Sequence, residues 1–287
     1  MFSGAMTAMI TPFREGRLDE NRLREQIDFQ IKGGIDGLVP VGTTGESPTL
    51  DFKEHERVIE LTVQTVRGRV PVIAGVGANA TSEALELHAF ARNIGATAGL
   101  SVNPYYNKPS QEGLYRHFMT LADRVELPIV LYNIPGRTGI TMSAQTVARL
   151  SKHPNIVAIK EATGSLDMAS EIASLCDITI LSGDDAMTVP LMSIGAKGVI
   201  SVISNLLPAD VKSLAAAALS GDFRKAAAVH HRLFPLIRSL FIDGNPVGIK
   251  HAMRVAGRDT GELRLPLCEA SEATKALIES LVQNVGT

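Results

Sequence analysis

An apolar run that ends in a lysine, IVAIKE from Ile156 to Glu161, holds the first chemistry legible in this chain. A buried ammonium is costly unless it is paired or discharged. Side chains alternate along a strand, so Ala158, Lys160 and Ala162 share one face while Val157, Ile159 and Glu161 share the other. Glu161 therefore points away from its neighbour. A lysine flanked by alanines in a small, partly dry space gives up its proton more readily than one in water. The free amine attacks ketones, and the resulting imine is an electron sink for making or breaking a carbon–carbon bond. The competing reading has Lys160 snorkel outward to a surface carboxylate.

Other side chains gather at positions that follow apolar runs. Tyr132, in PIVLYNIP, shares a strand face with Pro128, Val130 and Ile134, and its hydroxyl could reach Lys160 as a proton shuttle. Alternatively it is a core tyrosine whose hydroxyl is satisfied by backbone. VGTTGES offers the Thr43 and Thr44 hydroxyls and turn amides to a carboxylate. The spacing of Thr43 and Glu46 equally fits a helix-start capping box. Arg137, in IPGRTG, can clamp an acidic substrate with two parallel hydrogen bonds, unless it is merely a solvated loop arginine. Asn103, Tyr105 and Tyr106 follow another run. GVGANA resembles a dinucleotide-binding turn, but no acidic residue lies between Glu86 and Glu112 to hold a ribose, which argues against a nicotinamide cofactor. Asp184 and Asp185 read as a helix N-cap rather than metal ligands, and no catalytic metal is expected.

Something must position these groups. Eight short runs rich in Val, Ile and Ala, among them AMTAMITPF, DGLVPVG, VPVIAGVG and GVISVIS, alternate with amphipathic segments. Their unbroken apolarity suits parallel strands covered on both faces, and their spacing suits a closed (β/α)8 TIM barrel, whose active residues sit at the carboxyl ends of the strands. Asp19, Asp51, Thr81, Ser110 and Ser143 stand where helices should start. Beyond Ser204 only helical patterns remain, over 208–240, 247–256 and 271–282, so residues 1–220 read as the barrel and 221–287 as a C-terminal helical region. The 287 residues are 45% hydrophobic and 20% charged with a formal charge of -2, and the cations are scattered. That balance gives no footprint for nucleic acid or anionic membranes. Two cysteines make no disulfide framework, and the N-terminus has no basic, signal-like start, so a cytoplasmic protein is expected.

Six motifs occur in order along nearly the whole chain: GTTGES, NPYYNKPSQEGLYRHF, YNIPGRTG, IKEATG, NPVGIK and GELRLPL. Together they resemble the 4-hydroxy-tetrahydrodipicolinate synthase family of pyruvate-dependent lyases. The resemblance implies an imine between pyruvate and Lys160, attack of its enamine on L-aspartate 4-semialdehyde, and ring closure, without a cofactor. It implies a proton relay of Tyr132, Thr44 and Tyr106, the last reaching in from a neighbouring subunit of a homotetramer built as a dimer of dimers. Thr43 and Thr44 would hold the pyruvate carboxylate, Arg137 would orient the semialdehyde, and Gly183 and Ile200 would line the pocket. An effector site for lysine would involve Ser47, Pro48, Phe52, His55, Asn79, Glu83 and Tyr105, with Phe52 standing where many lysine-sensitive members have histidine. Related sugar-acid aldolases and N-acetylneuraminate lyases share the imine lysine. They usually carry Ser-Thr in the first motif and lack the arginine.

Overall fold

Apolar runs too short for helices become strands wherever neighbours can satisfy their backbone and both faces can be covered. In the computed structural model, which describes residues 2–285, eight of them form one parallel sheet. They are β1 (Gly4–Ala8), β2 (Gly37–Val39), β3 (Ile73–Gly75), β4 (Ala98–Val102), β5 (Ile129–Asn133), β6 (Ile156–Glu161), β7 (Thr179–Ser182) and β8 (Gly198–Ser201). β1 pairs with both β2 and β8, and the remaining strands follow in chain order. The sheet closes between β2 and β3 through the Leu38–Val72 bridge. There Leu38 N–H donates to the Pro71 carbonyl at 2.9 Å and Gly75 N–H to that of Pro40 at 3.0 Å. This is the expected TIM barrel.

The helices of the outer layer are α1 (Glu20–Lys32), α2 (Phe52–Val66), α3 (Thr81–Asn93), α4 (Gln111–Arg124), α5 (Ala144–Leu150), α6 (Leu166–Leu175), α7 (Thr188–Ser193) and α8 (Pro208–Leu219). α9 (Phe223–Ser239), α10 (Val247–Val255) and α11 (Glu272–Val285) follow, and a two-residue hairpin pairs Phe13–Arg14 with Arg17–Leu18. Among the described residues no helix is long and apolar enough to cross a membrane.

Asp19, Asp51, Ser110 and Ser143 cap their helices as expected, each side chain accepting from the amide three residues on. Asp51 and Glu54 complete a reciprocal capping box. Two expectations fail. Thr81 lies inside the first turn of α3, behind the cap residue Ala80, because its hydroxyl pairs with His117 Nδ1 at 2.9 Å. The single helix expected over 208–240 is two: Gly221 takes φ +81°, a left-handed conformation that stops α8, and Asp222 caps α9 through Lys225 N–H at 2.9 Å.

Two large apolar clusters fill the space between strands and helices, and a smaller one fills the barrel. The interior is built from residues such as Met6, Val39, Ile73, Leu100, Val130, Ala158, Leu181 and Ile200. Its modest side chains leave room at the carboxyl ends of β5 and β6 for a long one.

Candidate active site

Lys160 occupies that room. It is 5% exposed, and its strand neighbours in register are Tyr132 on β5 and Leu181 on β7. Among the described residues it takes part in no ion pair, so the snorkelling alternative fails. Its Nζ lies 4.2 Å from the centroid of the Tyr132 ring. The contact is with the ring face rather than the hydroxyl, which differs from the reach expected of Tyr132. The next residue faces outward as alternation requires: Glu161 accepts from Thr163 N–H at 2.7 Å and from Asn133 Nδ2 at 3.3 Å. Burial pushes the Glu161 carboxyl above its usual range, and those hydrogen bonds oppose the rise.

Gly183, just past β7, is what lets the lysine stem through. A Cβ there would stand 3.1 Å from Lys160 Cε and 2.7 Å from the Ala162 Cβ. We expect Gly183→Ala to displace the amine and lower kcat/KM for the amine's carbonyl substrate by roughly 10- to 100-fold. Steady-state kinetics beside a melting curve checks this, and a parent-like kcat/KM would contradict the packing role. Ile200 lies in the interior cluster with Tyr132 and Leu181. The end of its strand is fixed by Asp185, whose carboxylate accepts from Val202 N–H at 2.9 Å and Ile203 N–H at 3.0 Å. Asp185 is thus not the helix cap expected of it. Asp184 alone caps that turn, through Ala186 N–H at 2.8 Å.

A cavity of about 230 Å³ opens over this end of the barrel, lined by Thr43, Tyr132, Ile134, Arg137 and Thr138 together with Val41, Gly42, Ser47, Pro48 and Tyr105. The structure therefore brings Thr43, Tyr132 and Arg137 to one space, with Lys160 against Tyr132. Thr44 is buried beside them, its Oγ1 accepting from Asn245 Nδ2 at 3.0 Å. No helix starts at Thr43, so the capping-box alternative fails: Glu46 N–H bonds the Thr43 carbonyl at 3.1 Å, and Glu46 turns into a left-handed φ of +55°. Arg137 sits on the helical turn Pro135–Thr138 and donates from Nη2 to the Asn245 carbonyl at 3.0 Å. Asn245 thus holds both Thr44 and Arg137. Local pattern could not reveal it, although it opens NPVGIK, because its partner Thr44 is 201 positions away.

Tyr106 is 91% exposed at φ +71° and stands apart from its own chain's cavity. The effector candidates divide. Ser47 and Tyr105 line the cavity, Asn79 Nδ2 bonds the Tyr105 carbonyl at 3.2 Å, and Glu83 lies close enough to help burial raise the Tyr105 phenol. His55 is buried against the Gly75 carbonyl, with Nε2 at 2.7 Å, and burial lowers its pKa. Phe52 is 39% exposed at the start of α2.

The chain is similar to known proteins along its whole length. A 4-hydroxy-tetrahydrodipicolinate synthase of Geotalea daltonii is 52% identical over 285 residues, 99% of this chain and 98% of that protein. One of Pelobacter propionicus is 52% identical over 288 residues, covering 100% and 99%. The crystal structure of dihydrodipicolinate synthase from Aquifex aeolicus superposes with a TM-score of 0.98 at 47% identity, covering 99% of this chain and 98% of that one. The model of the dihydrodipicolinate synthetase family matches residues 1–285. With a closed barrel, a buried lysine at its mouth and this likeness along its whole length, the chain belongs to the dihydrodipicolinate synthetase family.

Proposed function

We infer that this chain is an imine-forming lyase that condenses pyruvate with L-aspartate 4-semialdehyde to give 4-hydroxy-tetrahydrodipicolinate, on the diaminopimelate route to lysine. The observation that carries the reading is Lys160, buried against Tyr132 without a counter-charge among the described residues, beside a cavity that also holds Thr43 and Arg137. The relatives' names agree with it.

In this scheme the Lys160 amine adds to the pyruvate ketone and water leaves, forming the imine. Loss of a methyl proton gives an enamine, whose methyl-derived carbon attacks the aldehyde of the semialdehyde. The semialdehyde's own amino group then adds to the imine carbon and the Lys160 amine leaves as the ring closes. The imine supplies the electron sink, so no cofactor is required. Thr43 and Thr44 take the pyruvate carboxylate, Arg137 the semialdehyde carboxylate, and Gly183 and Ile200 shape the floor. Thr44 Oγ1 already accepts from Asn245, so its own proton is available to Tyr132. Tyr106 completes the relay from a neighbouring subunit, which is the use its exposed position suits, in a homotetramer built as a dimer of dimers. The reading also places the enzyme in the cytoplasm and divides the chain into a barrel, 1–220, and a C-terminal helical region, 221–287. Residues 1, 286 and 287 of those ranges lie outside the described residues.

The rival, a sugar-acid aldolase using the same imine, is disfavoured by Arg137 in the cavity wall. Borohydride reduction with pyruvate, followed by mass spectrometry, should leave a stable adduct on Lys160, and the aldehyde consumed with pyruvate should be the semialdehyde. Absence of the adduct would overturn the reading, and consumption of a sugar aldehyde instead would favour the rival.

Feedback by lysine follows from the same reading. Glu83 can pair with the effector's ammonium, and Asn79 and Tyr105 can bond its polar ends. Phe52 packs on the aliphatic stem but offers no hydrogen bond. One missing bond, about 0.5 to 1.5 kcal/mol, corresponds to roughly two- to twelvefold weaker binding. Lysine is therefore expected to inhibit partially, and Phe52→His to tighten it by that factor in calorimetry and assay. No heat and no inhibition at millimolar lysine would remove the site.

A further inference from the structure

We propose that a buried ion pair, Glu46 with Lys250, positions the catalytic turn for the pyruvate half of the reaction. This rests on the reading that Thr43 and Thr44 hold the pyruvate carboxylate. The turn is bounded by strained backbone, with Val41 at φ +49° and Glu46 at φ +55°. A β-branched residue rarely adopts that region, and such strain persists only where the surroundings over-determine it.

The surroundings here come largely from the far end of the chain. Glu46, two positions past Thr44, is 1% exposed, and its carboxylate meets the Lys250 ammonium, which is wholly enclosed on α10. The same ammonium donates to the Glu262 carbonyl at 2.7 Å and lies 4.2 Å from the centroid of the Phe13 ring. The other Glu46 oxygen accepts from Arg264 N–H at 3.2 Å and more weakly from the Thr49 hydroxyl at 3.4 Å. Arg264 also lies 4.2 Å over the Phe13 ring and makes two 2.6 Å bonds to Glu54, the residue that completes the α2 capping box. The Thr11 hydroxyl also donates to the Gly45 carbonyl at 2.7 Å, so the turn is held at adjacent residues by two separate parts of the chain.

Stability alone is a poor account of this pair. Two well-packed apolar residues generally serve a core as well as a buried ion pair does. An ion pair adds direction: its oxygens and protons are fixed relative to the groups they meet. Burial pulls the Lys250 pKa down while Glu46 holds it up, and the ammonium is enclosed by its partners, so Lys250 is no second imine site.

Lys250→Met and the double variant Glu46→Gln/Lys250→Met are compared with the parent for melting temperature and for kcat/KM toward each substrate. Imine formation expels water before the second carbonyl is attacked, so each kcat/KM reports its own half-reaction. The double variant no longer strands the Glu46 carboxylate, although it still removes the cation that holds down the buried Asp259 carboxyl, so its melting temperature should recover in part relative to Lys250→Met. Its kcat/KM for pyruvate is expected to stay roughly ten- to a hundredfold low, with slower formation of the borohydride-trapped Lys160 adduct. Its kcat/KM for the semialdehyde should fall by a clearly smaller factor, because that half-reaction feels the turn only through Thr44 and the already bound carboxylate. Parent-like pyruvate kinetics, or equal losses for both substrates, would overturn the proposal. Glu46→Asp keeps both charges but draws the carboxylate back by one methylene, and serves if the double variant does not fold. It should lower kcat/KM for pyruvate about three- to tenfold, and an unchanged value would overturn the proposal as well. A parent enzyme that forms no pyruvate adduct would instead remove the functional reading beneath it.

Discussion

Lys160→Arg should lose both turnover and the borohydride-trapped pyruvate adduct. The guanidinium stays protonated at any pH the fold survives, so it cannot add to a ketone, and it is also bulkier than the ammonium. Removing the covalent nucleophile of an enzyme costs on the order of 10⁴ to 10⁶ in rate, and a loss of that size is expected in the coupled condensation assay. The fold should tolerate the change better than the chemistry does. The cation of Lys160 makes no ion pair among the described residues, and an arginine can still lie over the Tyr132 ring. Circular dichroism and a melting curve close to the parent's would show that the loss is chemical. Turnover within tenfold of the parent would end the assignment of Lys160 as the nucleophile.

The inward placement of Lys160 is legible in the sequence because its signal is local. A short, uniformly apolar run suits a parallel strand covered on both faces, and the period of two then fixes which side Lys160 and Glu161 take. The same rule placed Tyr132 beside Lys160, and the register confirms that adjacency. What alternation cannot supply is a rotamer, so a reach by the hydroxyl was expected where the ammonium lies over the ring.

Glu46 marks the limit more sharply. Its spacing from Thr43 fits a helix cap, and nothing nearby in sequence contradicts that. Its carboxylate is claimed instead by Lys250 and by Arg264, the latter 218 positions away. Contacts at such separations depend on the closed barrel bringing the C-terminal segment over the strand ends. Asn245, which ties Thr44 to Arg137, is hidden for the same reason. The break between α8 and α9 is a different kind of miss. Ser220, Gly221 and Asp222 spell a helix stop followed by a cap, a local signal outweighed by the alanine-rich pattern on either side.

The contact between Arg137 and Asn245 shapes the second large effect. Arg137 spends one Nη2 bond on the Asn245 carbonyl and stands in the wall of the cavity. A carboxylate bound there exchanges hydration for charge-assisted hydrogen bonds of about 1.5 to 3 kcal/mol. At 1.36 kcal/mol per decade, Arg137→Ala should lower kcat/KM for the semialdehyde by roughly 10- to 150-fold. The pyruvate value should fall much less, because in the proposed scheme that carboxylate goes to Thr43 and Thr44. It need not be untouched. Removing the guanidinium leaves the Asn245 carbonyl without its donor, and Asn245 also holds Thr44. Arg137→Lys separates the two contributions. A lysine can still donate to the Asn245 carbonyl but cannot grip a carboxylate with two parallel bonds, so semialdehyde recognition should recover only in part while pyruvate kinetics return to the parent's. Steady-state kinetics varying each substrate in turn reads both numbers. Equal losses for the two substrates in Arg137→Ala, persisting in Arg137→Lys, would show that the arginine supports the turn rather than recognising the second substrate.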